Sequence, residues 1–175
     1  MAMKSEQKTV VIGMASGILT MVASVALLTY LLPSPMFTDT VAGRLVYALS
    51  ANVFAIVPFI IMLIAIGNER FFSSAIDPTR HAESLGMEID GRVADNTLQQ
   101  NFVFLIVTLM LATLIPFQYL QLIWALALVF AVARLIFWLG YRINPLYRAP
   151  GMAATSYMNL FVIIYVLYQV LGTLL

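Results

Sequence analysis

The chain has no cysteine and a single histidine, His81. Disulfides, thiolate nucleophiles and cysteine-ligated metals are thereby excluded, and a metal site would have to be built mainly from carboxylates. The acids are scattered along the sequence and form no ligand set, so no metal is expected. Charge is scarce as well: 10% of the residues are Asp, Glu, Lys or Arg, where a soluble domain carries about 25%. With 62% hydrophobic residues, the chain lacks the polar side chains to cover a water-facing surface, and lipid is the solvent that suits it. A net charge of +1 gives no reason to expect a nucleic-acid partner. No internal repeat is present and no acid falls inside a long apolar run, which argues against a channel or transporter.

What is present is a series of apolar runs. A helix needs about 20 mostly apolar residues to cross the hydrocarbon core, and five stretches qualify: Thr9 to Leu32, Leu45 to Gly67, Leu98 to Ile115, Leu120 to Gly140 and Ala153 to Leu174. The fold class is therefore all-α, a polytopic membrane helix bundle. Pro33, Pro35, Pro116, Pro145 and Pro150 fall between runs, where helix breakers belong. Pro58 lies inside the second run and predicts a kink there. The first run is longer than the apolar core of a signal peptide, and no small-residue cleavage pattern follows it, so it is read as a retained span. Its Ala, Gly and Ser content points to close helix packing. The short turn at Pro116 predicts a tight hairpin of the third and fourth helices. Gly67 to Asp95, which holds Glu69, Asp77, Glu83, Glu88, Asp90 and Asp95, reads as a polar loop with one or two helical turns.

Lysine and arginine set the expected orientation. With the N-terminus in the cytoplasm, Lys4, Lys8, Arg70, Arg80, Arg92, Arg134, Arg142 and Arg148 all lie on the inner side or near it, and only Arg44 lies outside. The C-terminus then lies on the opposite side. The same topology collects the unusual polar residues at the cytoplasmic end. Arg92, Asn96 and Gln99 are spaced i, i+4, i+7, one stripe of a helix, and Arg134 and Tyr141 share another. A cluster of arginines facing a cavity suits an anion, because guanidinium pairs with carboxylate or phosphate. Each residue also has a plainer explanation. Arg142 is accounted for by the excess of cations in cytoplasmic loops, and Arg70 and Arg148 fit either reading. Arg134 sits deep in its run and needs a structural partner or a ligand. Asn96 and Gln99 can bridge helices. His81 reads as a solvated loop residue.

Two blocks carry a family resemblance. The third run opens Arg92-Val-Ala-Asp-Asn96-Thr-Leu-Gln99, and the fourth closes Arg134-Leu-Ile-Phe137-Trp-Leu-Gly140-Tyr141, with Arg148 seven residues on. Together they resemble the MAPEG family, membrane-associated proteins in eicosanoid and glutathione metabolism. The resemblance spans residues 45–175 as a four-helix membrane domain. Residues 1–44 are then an added N-terminal helix and linker. It implies a homotrimer that binds glutathione between subunits and attacks lipophilic substrates with an arginine-stabilised thiolate, as a transferase or peroxidase. By position it assigns Arg70 and Arg148 to catalysis, and Arg70, Arg92, Asn96, Gln99, Arg134, Tyr141 and Arg148 to glutathione. Gln99 stands where that family carries Glu, and Phe137 where a tyrosine is common. Those departures favour a non-catalytic alternative, a membrane protein that binds an anionic lipid or another anion.

Overall fold

The computed structural model describes residues 4–35 and 40–174. Five long helices account for nearly all of them: α1 Ser5–Leu31, α2 Val41–Phe71, α3 Leu85–Leu114, α4 Leu122–Ile143 and α5 Ala149–Leu174. There is no strand among the described residues. All five helices are long and apolar enough to cross a membrane, so the chain is a multi-pass membrane protein. Part of the expected linker, residues 36–39, lies outside the described residues.

Four helices form the bundle. α2 and α5 occupy opposite corners, with α3 and α4 between them in mutual contact. The α2 face that packs inward is a stripe of small residues, Ala48, Ala51, Ala55, Pro58 and Met62, and the helix runs through Pro58 without ending. Small side chains let helices approach closely in lipid, where dispersion contacts replace the hydrophobic effect. At the centre the Phe104 and Phe130 rings lie 4.4 Å apart. Away from the polar end, Asn52 donates to the Thr108 hydroxyl at 2.9 Å. Arg44, the lone cation expected outside, donates to the carbonyls of Ile115 (2.7 Å) and Ala112 (3.3 Å). It thus closes the C-terminal end of α3, where carbonyls lack helical partners.

α1 lies outside this unit, against α5 and α4. The contact is made by the Gly13-x-x-x-Gly17 pair, which meets Ala149 and Pro150 at the start of α5. A β-carbon at Gly17 would overlap the Pro150 carbonyl oxygen, so glycine sets how near the two backbones come.

Several boundaries differ from expectation: α1 starts at Ser5 rather than Thr9, and α5 at Ala149 rather than Ala153, so Pro150, expected between runs, lies in the first turn of α5, where its missing amide hydrogen costs no helical bond. α2 begins at Val41, because the Thr40 side chain caps it by accepting from the Gly43 amide. More consequential, the segment read as a polar loop is largely helical. α2 continues to Phe71, two short 3-10 turns follow (Ser74–Ile76 and Pro78–Arg80), and α3 starts at Leu85 rather than Leu98. The Ser84 hydroxyl caps α3 by accepting from the Met87 amide at 3.0 Å, and Glu88 lies in the first turn, complementing the helix dipole. The Pro116 hairpin is as expected, with one 3-10 turn, Phe117–Tyr119, joining α3 to α4.

Candidate functional site

The ends of α2 and α4 and the starts of α3 and α5 share one end of the bundle, and its polar side chains form two separate layers. The deeper layer is organised by Arg134. On α4 it shares a stripe with Phe130 and Phe137, and it is completely buried. Its Nη1 donates to Asn96 Oδ1 at 2.8 Å. Its Nη2 donates to the Gly151 carbonyl at 3.4 Å and to the Thr155 hydroxyl. The guanidinium lies over the Phe137 ring at 4.6 Å and the Phe130 ring at 5.8 Å. No carboxylate of the described residues comes within 4 Å of it. A buried charge without a counter-ion is costly, and here neutral oxygen dipoles and two aromatic faces offset that cost. Phe137, the position where a ligand tyrosine was sought, supplies one of those faces. Gly151 permits the arrangement, since a β-carbon there would overlap the backbone nitrogen of Phe137. Beside this layer, Asn159 Nδ2 donates to the carbonyl (3.1 Å) and Oε1 (2.9 Å) of Gln100, joining α5 to α3.

The shallower layer is a clamp around Asp90, which is fully buried on α3. Arg142 Nε donates to its Oδ1 and Nη2 to its Oδ2, both at 2.8 Å, a bidentate pair. Trp138 Nε1 adds a third bond to Oδ1 at 2.7 Å. Arg142 also approaches Glu69 on α2 at 3.7 Å, and Glu69 accepts from the Ser84 hydroxyl at 2.5 Å. Three helices are thus tied at one point. Alongside, Arg70 pairs with Glu83 at 3.3 Å. Between the two layers sit Met62, Val93, Ala94 and Phe137, an apolar partition.

Of the seven residues expected at a ligand site, two pairs come together: Arg134 with Asn96, and Arg148 with Tyr141, whose ring lies 4.9 Å below the guanidinium. Arg70 is engaged with Glu83, and Arg92, exposed on the outer side of α3, reaches only Glu88 at 3.8 Å. Gln99 is exposed, and its neighbour Gln100 makes the interhelical contact instead. The four arginines expected to share one pocket are therefore divided among separate partners within the chain. The stripe that α3 buries is Met87, Asp90, Ala94, Thr97, Asn101, Phe104, Thr108 and Leu111. Sequence reasoning followed the adjacent stripe through Arg92 and Gln99 and missed Asp90, Trp138 and the structural role of Arg142. The signal was there: Asp90 continues, at spacings of three and four, the row that ends in Phe104 and Leu111.

Comparison with known proteins gives a modest likeness. The chain is 29% identical over 129 residues to Transmembrane protein 79 of Mus musculus, covering 74% of this chain and 33% of that protein. It is 27% identical over 116 residues to Transmembrane protein 79 of Bos taurus, covering 66% of this chain and 29% of that protein. The chain spans about a third of the length of the curated relatives it matches. No family model matches it, and no solved structure does. The MAPEG assignment is corrected accordingly: no family model supports it, and the relatives found carry a different name. Its motifs rested on spacings of three, four and seven, which any helix end with one polar stripe produces. Glutathione, a lipophilic substrate and a homotrimer followed from that resemblance and lose their support with it.

Proposed function

We propose that this is a non-catalytic multi-pass membrane protein that holds an anionic phospholipid headgroup at the end of the bundle where α1 and α5 begin. The reading rests on the state of Arg148. Its guanidinium is exposed, rests on the Tyr141 ring at 4.9 Å, and has no carboxylate of the described residues within 4 Å. Arg134, Arg142 and Arg70 are committed to internal partners. The turn Pro145–Arg148 packs against α1, whose first residues bring Lys4 and Lys8 to the same end. One fixed guanidinium with two mobile ammonium groups nearby suits a phosphate on a lipid surface. A peptide with two carboxylates and an ammonium would ask for more anchored donors. With the N-terminus in the cytoplasm, this end faces the leaflet that carries anionic lipid, where each Lys or Arg contributes about 1 kcal/mol.

Native mass spectrometry of the detergent-purified protein tests the reading. The protein should retain anionic phospholipid, and Arg148→Ala should reduce that retention roughly fivefold, as loss of about 1 kcal/mol implies. Glutathione is the competing anion. Calorimetric binding of glutathione, or glutathione-dependent conjugation of an aryl halide lost in Arg148→Ala, would replace this reading with an enzymatic one.

A further inference from the structure

The end of α2 and its connection to α3 expose large apolar side chains. Phe71 is 67% exposed, Phe72 83% and Ile76 62%. These residues belong to an ordered segment. Ala75 is fully buried, Arg70 pairs with Glu83, and Ser84 donates to Glu69, so both ends of the connection are tied to α2. The two phenylalanines pack edge to face at 5.0 Å.

Their position relates them to the lipid-facing surface of α2. That surface is the row Val53, Val57, Ile60 and Ile64, all exposed, at spacings of four, three and four. Seven residues beyond Ile64, two helical turns along the same face, the row ends at Phe71. The apolar run of α2 stops at Gly67, and four further residues of helix rise about 6 Å. The headgroup layer on each side of the hydrocarbon core is about 5–8 Å deep, so Phe71 and Phe72 fall within it. The cations of the segment are spoken for: Arg80 by Asp77 at 3.1 Å, Arg70 by Glu83 and Arg92 by Glu88. Acids outnumber cations there, so attraction to anionic lipid cannot hold the segment down.

We infer that Phe71, Phe72 and Ile76 form an interfacial anchor that inserts into the headgroup layer of the bilayer by apolar contact alone, independent of lipid charge. Phenylalanine and branched aliphatic side chains are favoured at this depth because they bury apolar area at the boundary of headgroups and acyl chains. The anchor holds the 72–84 connection against the membrane surface, beside the Asp90 clamp, to which Ser84 is joined through Glu69.

The absence of cysteine makes the test direct. Single-cysteine variants Phe72→Cys, Ile76→Cys and Arg80→Cys, each at an exposed position, are labelled with an environment-sensitive fluorophore and placed in phosphatidylcholine nanodiscs. A nitroxide carried on the lipid near its headgroup should quench the probes at 72 and 76 several-fold more than the probe at 80, with iodide showing the reverse order. Raising salt to about 1 M, where screening acts within about 3 Å, should leave the pattern unchanged. Equal quenching at all three sites overturns the inference, as does iodide reaching 72 as freely as 80. Protection of 72 and 76 from both quenchers overturns it too, since a protein partner would then be covering the patch.

Discussion

Replacing Arg142 by methionine should destabilise the bundle by about 2–3 kcal/mol. Asp90 is fully buried and takes two of its three side-chain bonds from this guanidinium. Removing one member of a buried pair costs roughly 3–5 kcal/mol, mostly because the other charge is stranded. The Arg142 side chain is 44% exposed, so water can reach part of the vacated space and the cost falls to the bottom of that range or just below it. The second contact of Arg142, to Glu69 at 3.7 Å, lies near the surface and contributes under about 1 kcal/mol. A loss of that size lowers the folded-to-unfolded ratio roughly 30- to 150-fold. Asp90→Asn alone should cost less, about 1–2 kcal/mol, since the amide oxygen still accepts from Trp138. The double variant should be more stable than the sum of the two losses by about 1–2 kcal/mol, the coupling expected of contacting residues. Trp138 donates directly to Asp90, so its fluorescence in a Trp124→Phe background reports the clamp during unfolding in mixed detergent micelles. Equal midpoints for Arg142→Met and its parent, or strict additivity in the double variant, would refute the stranded-charge reasoning.

Arg134→Met should cost about 1–3 kcal/mol, because the part-buried Asn96 oxygen loses its donor while the volume is largely kept, whereas Arg134→Ala should cost about 3–5 kcal/mol through the cavity it also leaves; thermal unfolding in detergent ranks the two. Gly17→Ala places a β-carbon on the Pro150 carbonyl and should cost about 1–3 kcal/mol by overpacking, while Gly13→Ala, whose β-carbon would meet that of Ala149 at 3.1 Å, should cost less in the same assay. In the 72–84 connection, the Asp77 carboxyl is held below its ordinary value of 3.8 by hydrogen bonds from the Thr79 hydroxyl and amide and from Arg80. Its contribution to the local turn is therefore complete above that value and is lost as pH falls through the lower, folded one. A carbon-detected titration of Asp77 should show a midpoint below 3.8, and a midpoint at or above it would contradict the turn.

The number of helices, their approximate spans and the hairpin at Pro116 were legible because lipid imposes a length and a polarity that composition records directly. What escaped was the polar half of α3. Glu88, Asp90, Arg92 and Asp95 depress hydropathy, yet the Ser84 cap and the absence of proline allow a helix to run through them. Arg134 was legible as a residue needing a partner, from its depth alone, and the rings four before and three after it share its stripe; the amide from α3 and the hydroxyl and carbonyl from α5 were not legible, because only the packing of those helices on α4 brings them there. Arg142 was read as a topology signal because Asp90 is remote in sequence and only the packing of α3 on α4 joins them.

Among the described residues no hydrogen bond or ion pair joins α1 to another helix; its side-chain bonds all return to its own backbone or cap. Its seat is a matter of shape, and most of the surface it fits belongs to α5, which is made after it. During translation α1 therefore enters the bilayer before its main seat exists, stable in lipid by length and composition, and can complete its docking only once α5 has brought Pro150 to it. A helix held in this way can be lifted off without leaving any polar group bereft, and late docking of α1 is the assembly order that this packing implies.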